Sequence, residues 1–258
     1  MSAASEPVEF AERYGPWAVV AGASEGVGAS VARLLGDRGV NVVLVARRQE
    51  ALDDVAATVA TTTRALALDL STANAGDELA AATADLDVGL LIYNAGADPY
   101  MVRFLDKPVD VWQAMLARNC ITVLGAAHHF GGAMVERNRG GIALVTSGAA
   151  WAGGSHLAVY GASKAFDLLL GESLWAEFKP LGVDVLAMVL GATDTPAFRR
   201  LVGDRELGDL ADADDVARDL LDNLGNGPTF PPGPSPFGTL DRRDAVELLS
   251  QGAARMYD

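Results

Sequence analysis

Short apolar runs alternate along the chain with longer stretches in which apolar residues return every three or four positions. Six of the runs, 17–21 (WAVVA), 41–46 (NVVLVA), 64–68 (RALAL), 89–93 (GLLIY), 141–146 (GIALVT) and 183–189 (VDVLAMV), are rich in Val, Leu, Ile and Ala. A strand with one wet face alternates apolar and polar residues, so such runs predict strands covered on both faces. Between the first two, Val27, Val31, Leu34 and Leu35 form one helical stripe, and Gly39 stands where a helix would end. Strand, helix and strand at this spacing make a parallel pair with a right-handed crossover. The unit recurs to residue 190 and predicts an α/β fold, a doubly wound parallel sheet with helices on both faces.

Past residue 190, the segment 212–227 (DADDVARDLLDNLGNG) opens on acids and aligns Val216, Leu220, Leu221 and Leu224. That pattern predicts a capped amphipathic helix. The Pro-rich stretch 228–238 reads as an ordered turn region or a last short strand, and 242–257 as a terminal helix. Residues 1–12 are expected to be a flexible tail. Residues 13–258 are expected to share one core, because α/β chains of this length routinely form a single domain.

Composition and charge narrow the class. The 258 residues include 28 Gly and only 7% aromatics, which suits tight strand-to-helix turns and a sheet filled by small aliphatics. A net charge of −14 argues against a nucleic-acid surface, which needs basic groups to replace phosphate counterions. The single cysteine, Cys120, cannot form an internal disulfide, no charged and then apolar leader opens the chain, and no apolar run reaches the ~18 residues that span a bilayer. A cytoplasmic protein without membrane association is the expectation.

Two stretches carry candidate chemistry. After the first predicted strand, AGASEGVG places Gly22, Gly26 and Gly28 in a G-x-x-x-G-x-G turn leading into a helix. Glycines allow a tight turn and close backbone approach, and the helix N-terminus offers N–H groups to a pyrophosphate. The second strand ends with Ala46 where an NAD-binding fold usually places an acid, followed by Arg47 and Arg48. An arginine fork there suits a 2′-phosphate, so NADP(H) is favoured over NAD(H), with Glu25 in the same turn as an opposing charge. The second stretch is VYGASKAF, where Tyr160 and Lys164 stand four apart and therefore share one helix face.

Together these features resemble the short-chain dehydrogenase/reductase family over about residues 14–196. Ser147 precedes Tyr160 by 13 residues, Lys164 follows it by four, Asn119 lies in ARNCITVLG, and NAG occupies 94–96. The resemblance implies a single-domain Rossmann fold and a soluble oxidoreductase that interconverts a ketone or aldehyde and an alcohol. Tyr160 would be the acid/base. A free phenol titrates near 10, and a neighbouring ammonium favours the anion by about 1–3 units. Lys164 would supply that ammonium and hold the nicotinamide ribose, Ser147 would donate to the substrate oxygen, and Asn119 would hold a relay water. The implied cofactor contacts run through Gly22, Ser24, Glu25, Gly26, Val27 and Gly28, then Arg47, Arg48, Asp69 and Leu70. They continue through Asn94, Ala95 and Gly96, Tyr160 and Lys164, and the loop residues Gly191, Thr193 and Thr195. Three positions depart from the family pattern: Ala21 for a Thr, Tyr93 for an Asn and Leu190 for a Pro.

The remaining candidates are weaker. His128 and His129 are adjacent, point apart on a helix and lack ligand spacing, so no metal is expected. Ser147 is not in a G-x-S-x-G elbow, which argues against a hydrolase. Cys120 reads as a small core residue, and His156 as a rim residue that could touch substrate. Trp151, Tyr100, Met188 and Phe198 are possible pocket walls, pointing to an apolar small-molecule carbonyl or alcohol. Arg199 and Arg200 leave open a 3-oxoacyl thioester reductase that meets a carrier phosphate, although the net charge opposes an acidic carrier. A non-catalytic NADP-binding scaffold or sensor is a further alternative, as is a sugar-modifying or dehydratase branch with the same Tyr and Lys. The family commonly pairs the helices bearing Asn119 and Tyr160 across two-fold axes, which implies a homodimer or homotetramer.

Overall fold

Successive side chains of a strand point to opposite faces, and the central strands use both. On β1 (Trp17–Ala21), Ala18 and Val20 enter one core while Val19 and Ala21 enter the other. On β2 (Asn41–Ala46), Val42 and Leu44 oppose Val43 and Val45. None of these eight side chains is exposed, which explains the unbroken apolar runs. The computed structural model describes residues 6–203, 208–233, 241–244 and 246–247.

Four further long strands follow: β3 (Thr63–Ala67), β4 (Val88–Tyr93), β5 (Gly140–Ser147) and β6 (Val183–Leu190). Short β7 (Thr193–Asp194) and β8 (Ala211–Asp212) pair with each other outside the main sheet. The last strand, β9 (Thr229–Phe230), completes a seven-stranded parallel sheet of order β3-β2-β1-β4-β5-β6-β9. The predicted doubly wound Rossmann fold is therefore present. The strand order reverses between β1 and β4, and the crevice at the strand C-termini there is where such folds bind ligands.

One face is covered by α2 (Gly26–Asp37), α3 (Gln49–Ala56) and α9 (Ala213–Asp222). α2 ends as expected: Gly39 at φ +77° donates to Gly36 O, and Val40 N donates to Leu35 O, closing a Schellman motif. The α9 segment is entered through Asp212, whose carboxylate accepts from Asp214 N and Asp215 N. The other face carries α4 (Ala75–Ala82), α6 (Thr122–Glu136) and the 21-residue α7 (Ala158–Phe178). α5 (Val109–Leu116) runs into α6 through a π turn, Ala117–Ile121. α8 (Pro196–Val202) follows β7.

The N-terminal expectation needs correction. The segment 6–12, expected to be part of a flexible tail, is helical and belongs to α1 (Glu6–Tyr14). Phe10 and Ala11 pack against the first core, and Arg13 Nε and Tyr14 Oη both donate to Asp184 Oδ2, at 2.6 and 2.7 Å. The anchor of this helix, Asp184, lies 170 positions from Tyr14, out of reach of any local pattern. Residues 1–5 lie outside the described residues, as do 234–238 of the Pro-rich segment. Of the expected terminal helix, residues 242–244 and 246–247 are helical and the rest lies outside the described residues.

Candidate active site

The glycine turn is built by close approach. At Gly22, φ is +84° and a Cβ would stand 2.8 Å from Ala95 N; at Gly28 a Cβ would stand 2.0 Å from Gly22 O. Asn94 Nδ2 donates to Gly22 O at 3.1 Å, tying the turn to the end of β4. Glu25 occupies the N-cap of α2 with extended backbone but does not cap it. Its carboxylate binds Arg200 through both terminal nitrogens and lies 3.9 Å from Arg48 Nη2. The opposing charge is thus largely matched by α8, and the N-terminus of α2 keeps its first-turn dipole for another anion.

The rest of the predicted cofactor wall converges on this turn. Arg47 is exposed and has no ion-pair partner among the described residues. The Asp69 carboxyl is held below the ordinary carboxylate range, chiefly by the hydroxyl and amide of Ser71, with smaller pulls from Arg47 and Arg118. Leu70 O accepts from Thr122 Oγ1 at 2.9 Å, fixing the loop after β3 to α6. Thr195 caps α8 by accepting from Phe198 N at 3.2 Å, and its Cγ2 lies 2.9 Å from where a Gly26 Cβ would stand. Thr193 Oγ1 donates to Gly191 O at 3.2 Å. These glycines, the uncapped helix start and the arginines fit a dinucleotide, because the backbone is bare where a phosphate would approach and cations flank it.

The four predicted catalytic residues are carried by the end of β5, the π turn and the first turns of α7. Ser147 ends β5, its Oγ accepting from Ala149 N at 3.2 Å. Next to it, Thr146 Oγ1 donates to Lys164 O at 2.6 Å, fastening α7 to the strand end. Lys164 is buried, and its Nζ donates to Val145 O and to Asp167 Oδ2, each at 2.9 Å. Asn119 sits in the π turn with no exposure, its Nδ2 donating to Ser163 Oγ at 2.9 Å and to Gly96 O at 3.3 Å. Ser163 Oγ in turn donates to Tyr160 O. The wider π turn re-aims side chains within a helix, a device common at functional sites. Gly96 has φ +152°, and a Cβ there would lie 2.6 Å from Lys164 Nζ. Of the three departures, Tyr93 has its own local role: its hydroxyl donates to Arg118 O at 2.8 Å and braces the π turn.

Tyr160 forms part of a shallow recess whose apolar side is Val102, Phe104, Trp112 and Leu157, with Asp98 and His156 as polar members. His156 has φ +68°, a conformation that costs energy in a non-glycine residue, and its Nδ1 lies 2.9 Å from Ser155 Oγ. The buried Asp98 carboxylate accepts from Tyr100 N and Met101 N. Of the expected pocket walls, Tyr100 packs edge-on against Trp112, whereas Met188 is in the core and Trp151 packs with Leu168 and Val189. Trp112 and Asp98 were not singled out from sequence. Trp112 reads as an ordinary helix-face residue, and Asp98, before a proline, reads as a turn. Arg199 pairs with Asp194 at 2.7 and 2.8 Å, so both candidate phosphate arginines are internally engaged.

Comparison with known proteins settles the affiliation. The short chain dehydrogenase family profile matches residues 16–206. The chain belongs to the short-chain dehydrogenase/reductase family. It is 30% identical to a 7beta-hydroxysteroid dehydrogenase of Clostridium sardiniense, over 97% of this chain and 99% of that one. A solved structure described for insights into 7beta-hydroxysteroid dehydrogenase stereoselectivity superposes with a TM-score of 0.78 at 30% identity, covering 85% of this chain and 88% of the other. A short-chain dehydrogenase from Sphingobium yanoikuyae in complex with NADPH superposes with a TM-score of 0.79 at 26% identity, covering 93% and 96%. As a member of this family the protein is an oxidoreductase of CH–OH and C=O groups that uses a nicotinamide cofactor. Among the described residues, no helix is long and apolar enough to cross a membrane.

Proposed function

We propose that the protein is an NADP(H)-dependent dehydrogenase/reductase of a bulky, apolar ring substrate of the 7β-hydroxysteroid kind. The observation that carries this reading is the placement of Tyr160, one helical turn from a buried Lys164, on the wall of a recess whose other side is Val102, Phe104, Trp112 and Leu157. A bound nicotinamide supplies or takes the hydride. Tyr160 gives or takes the hydroxyl proton, Ser147 donates to the substrate oxygen, Lys164 holds positive charge beside the phenol, and Asn119 supports Lys164 through the Gly96 backbone. The relative from Clostridium sardiniense supports the substrate class. The recess is shallow as it stands, so a ring substrate requires the segment carrying Val102 and Phe104 to give way. The test is consumption of NADPH with a 7-oxosteroid; turnover of short aliphatic aldehydes with none of the steroid would overturn the substrate class.

Support for NADP(H) comes from Ala46 in place of an acid, from the exposed Arg47 beside it, which has no ion-pair partner among the described residues, and from the NADPH-bound relative. Arg47→Ala is expected to weaken NADPH by about 10–100-fold, the worth of a charge-assisted contact, and to leave NADH nearly unchanged. Calorimetric titration with both cofactors checks it, and equal losses would mean that Arg47 does not read the 2′-phosphate.

The proposal extends to a homo-oligomer formed through the helices around the site. Ile121 (63% exposed) and Leu124 (48%) on the π turn and α6, with Leu169 (58%) on α7, present large apolar side chains to solvent. Light scattering on the purified protein should give a dimer or tetramer, and Ile121→Lys with Leu169→Lys should shift it to monomer. A wild-type monomer at micromolar concentration would refute this assembly.

A further inference from the structure

α7 carries two buried acids that differ in how they are satisfied. Glu172 is fully engaged: Oε1 accepts from Thr229 Oγ1 and Arg242 Nε, and Oε2 accepts from Arg242 Nη2. This is a conventional structural pair, with every strong acceptor used. Asp167 is different. It is 2% exposed, its Oδ2 takes the Lys164 ammonium at 2.9 Å, and its buried Oδ1 has no hydrogen-bond partner among the described residues. A buried carboxylate with one bare oxygen is costly, and for stability alone an apolar residue would serve as well.

Position gives the cost a use. Tyr160, Lys164 and Asp167 fall at i, i+4 and i+7, so phenol, ammonium and carboxylate lie along one face of α7. Of the three donors of Lys164, one goes to Val145 O and one to Asp167, leaving a single donor toward the cleft. The ammonium is thereby fixed in orientation, with a carboxylate of opposite charge held against it. We propose that Asp167 is a positioning residue that pins Lys164 and, by moderating its charge, sets the pH of the proton transfer at Tyr160.

The inference rests on the acid/base reading of Tyr160 given above. The groups around the pair agree with the direction of the field. Burial pushes the Asp167 carboxyl up while Lys164 pulls it down. From the π turn, the Cys120 thiol is pushed up to about 11, first by burial and then by Asp167, against Lys164. From β4, the Tyr93 hydroxyl is also raised, first by burial and then by Asp167, with Arg118 opposing. Asp98 and His156 face Tyr160 from the recess and stay constant when only Asp167 is changed.

Seven residues of helix rise separate Asp167 from Tyr160 by about 10 Å. Across that distance, at an effective dielectric of ~20–40, removal of one negative charge moves a titration by roughly half to one pH unit. The test follows phenolate absorbance against pH, isolating the Tyr160 step as the difference from Tyr160→Phe in the same background. In Asp167→Asn that step should move to lower pH by roughly half to one unit. Should the asparagine variant not fold, Asp167→Leu carries the same reading, since Oδ1 already lies among groups that offer it no hydrogen bond. Glu172→Gln is the control: it should lower the melting temperature and leave the step in place. An unmoved step in the Asp167 variants, or an equal movement in Glu172→Gln, would overturn the proposal. Because this readout needs no substrate, it stands apart from the functional reading, which falls instead if Tyr160→Phe retains turnover.

Discussion

Tyr160→Phe is expected to lower turnover of any ketone or alcohol the enzyme accepts by about 10²–10⁴-fold, the usual worth of a positioned general acid or base. Affinity for the nicotinamide cofactor should stay close to wild type. The argument is geometric. Tyr160 stands on the first turn of α7, and its backbone carbonyl accepts from Ser163 Oγ, which also accepts from Asn119 Nδ2. Removing the hydroxyl leaves that backbone chain, the Lys164 contacts to Val145 and Asp167 and the whole glycine turn in place. The loss should therefore appear in kcat, measured by steady-state kinetics, with an unchanged calorimetric titration of NADPH. Full turnover in the variant would remove Tyr160 from the chemistry.

Much of this arrangement is readable from residue order because its determinants are local. The strands with unbroken Val, Leu and Ala could only be buried on both faces, and the boundaries of β1 and β2 fall where the runs begin and end. The glycines are legible for the same reason, since Gly22 and Gly28 stand where no side chain fits. What escapes the sequence is contact between distant segments. Glu25 reads as a threat to a bound phosphate until Arg200, 175 positions away, is seen to take its charge. Asp98 and Trp112 belong to unremarkable turn and helix patterns and gain meaning only when the recess brings them beside Tyr160. Asp167 looks like a helix residue with a charged neighbour three positions back, and nothing in the sequence says that both groups are buried. The helix at residues 6–14 is held by Asp184 and by one face of the sheet, partners that periodicity does not reveal.

The second large effect is expected from a single added methyl group. Alanine in place of glycine inside a helix ordinarily stabilises by about 1 kcal/mol. At Gly28, in the first turn of α2, the opposite is expected, because the new Cβ would lie 2.0 Å from Gly22 O and 2.8 Å from Asn94 Nδ2. These are backbone and a tethered amide, which cannot move aside without opening the turn that Asn94 holds to β4. Overpacking of this kind costs about 1–3 kcal/mol, and each kcal/mol is worth ~2–4 °C in a chain of this size. Cofactor affinity should fall further than stability does, by about 10²-fold or more. A pyrophosphate is bound through backbone N–H groups whose aim changes with any displacement of the turn, and misplacement by ~1 Å has effects of that order. Thermal unfolding and NADPH titration of Gly28→Ala test both halves. A raised melting temperature with unchanged NADPH affinity would mean that α2 does not pack on the Gly22 carbonyl and that the turn is not the phosphate cradle. A lowered melting temperature with unchanged affinity would keep the packing and move the cofactor elsewhere.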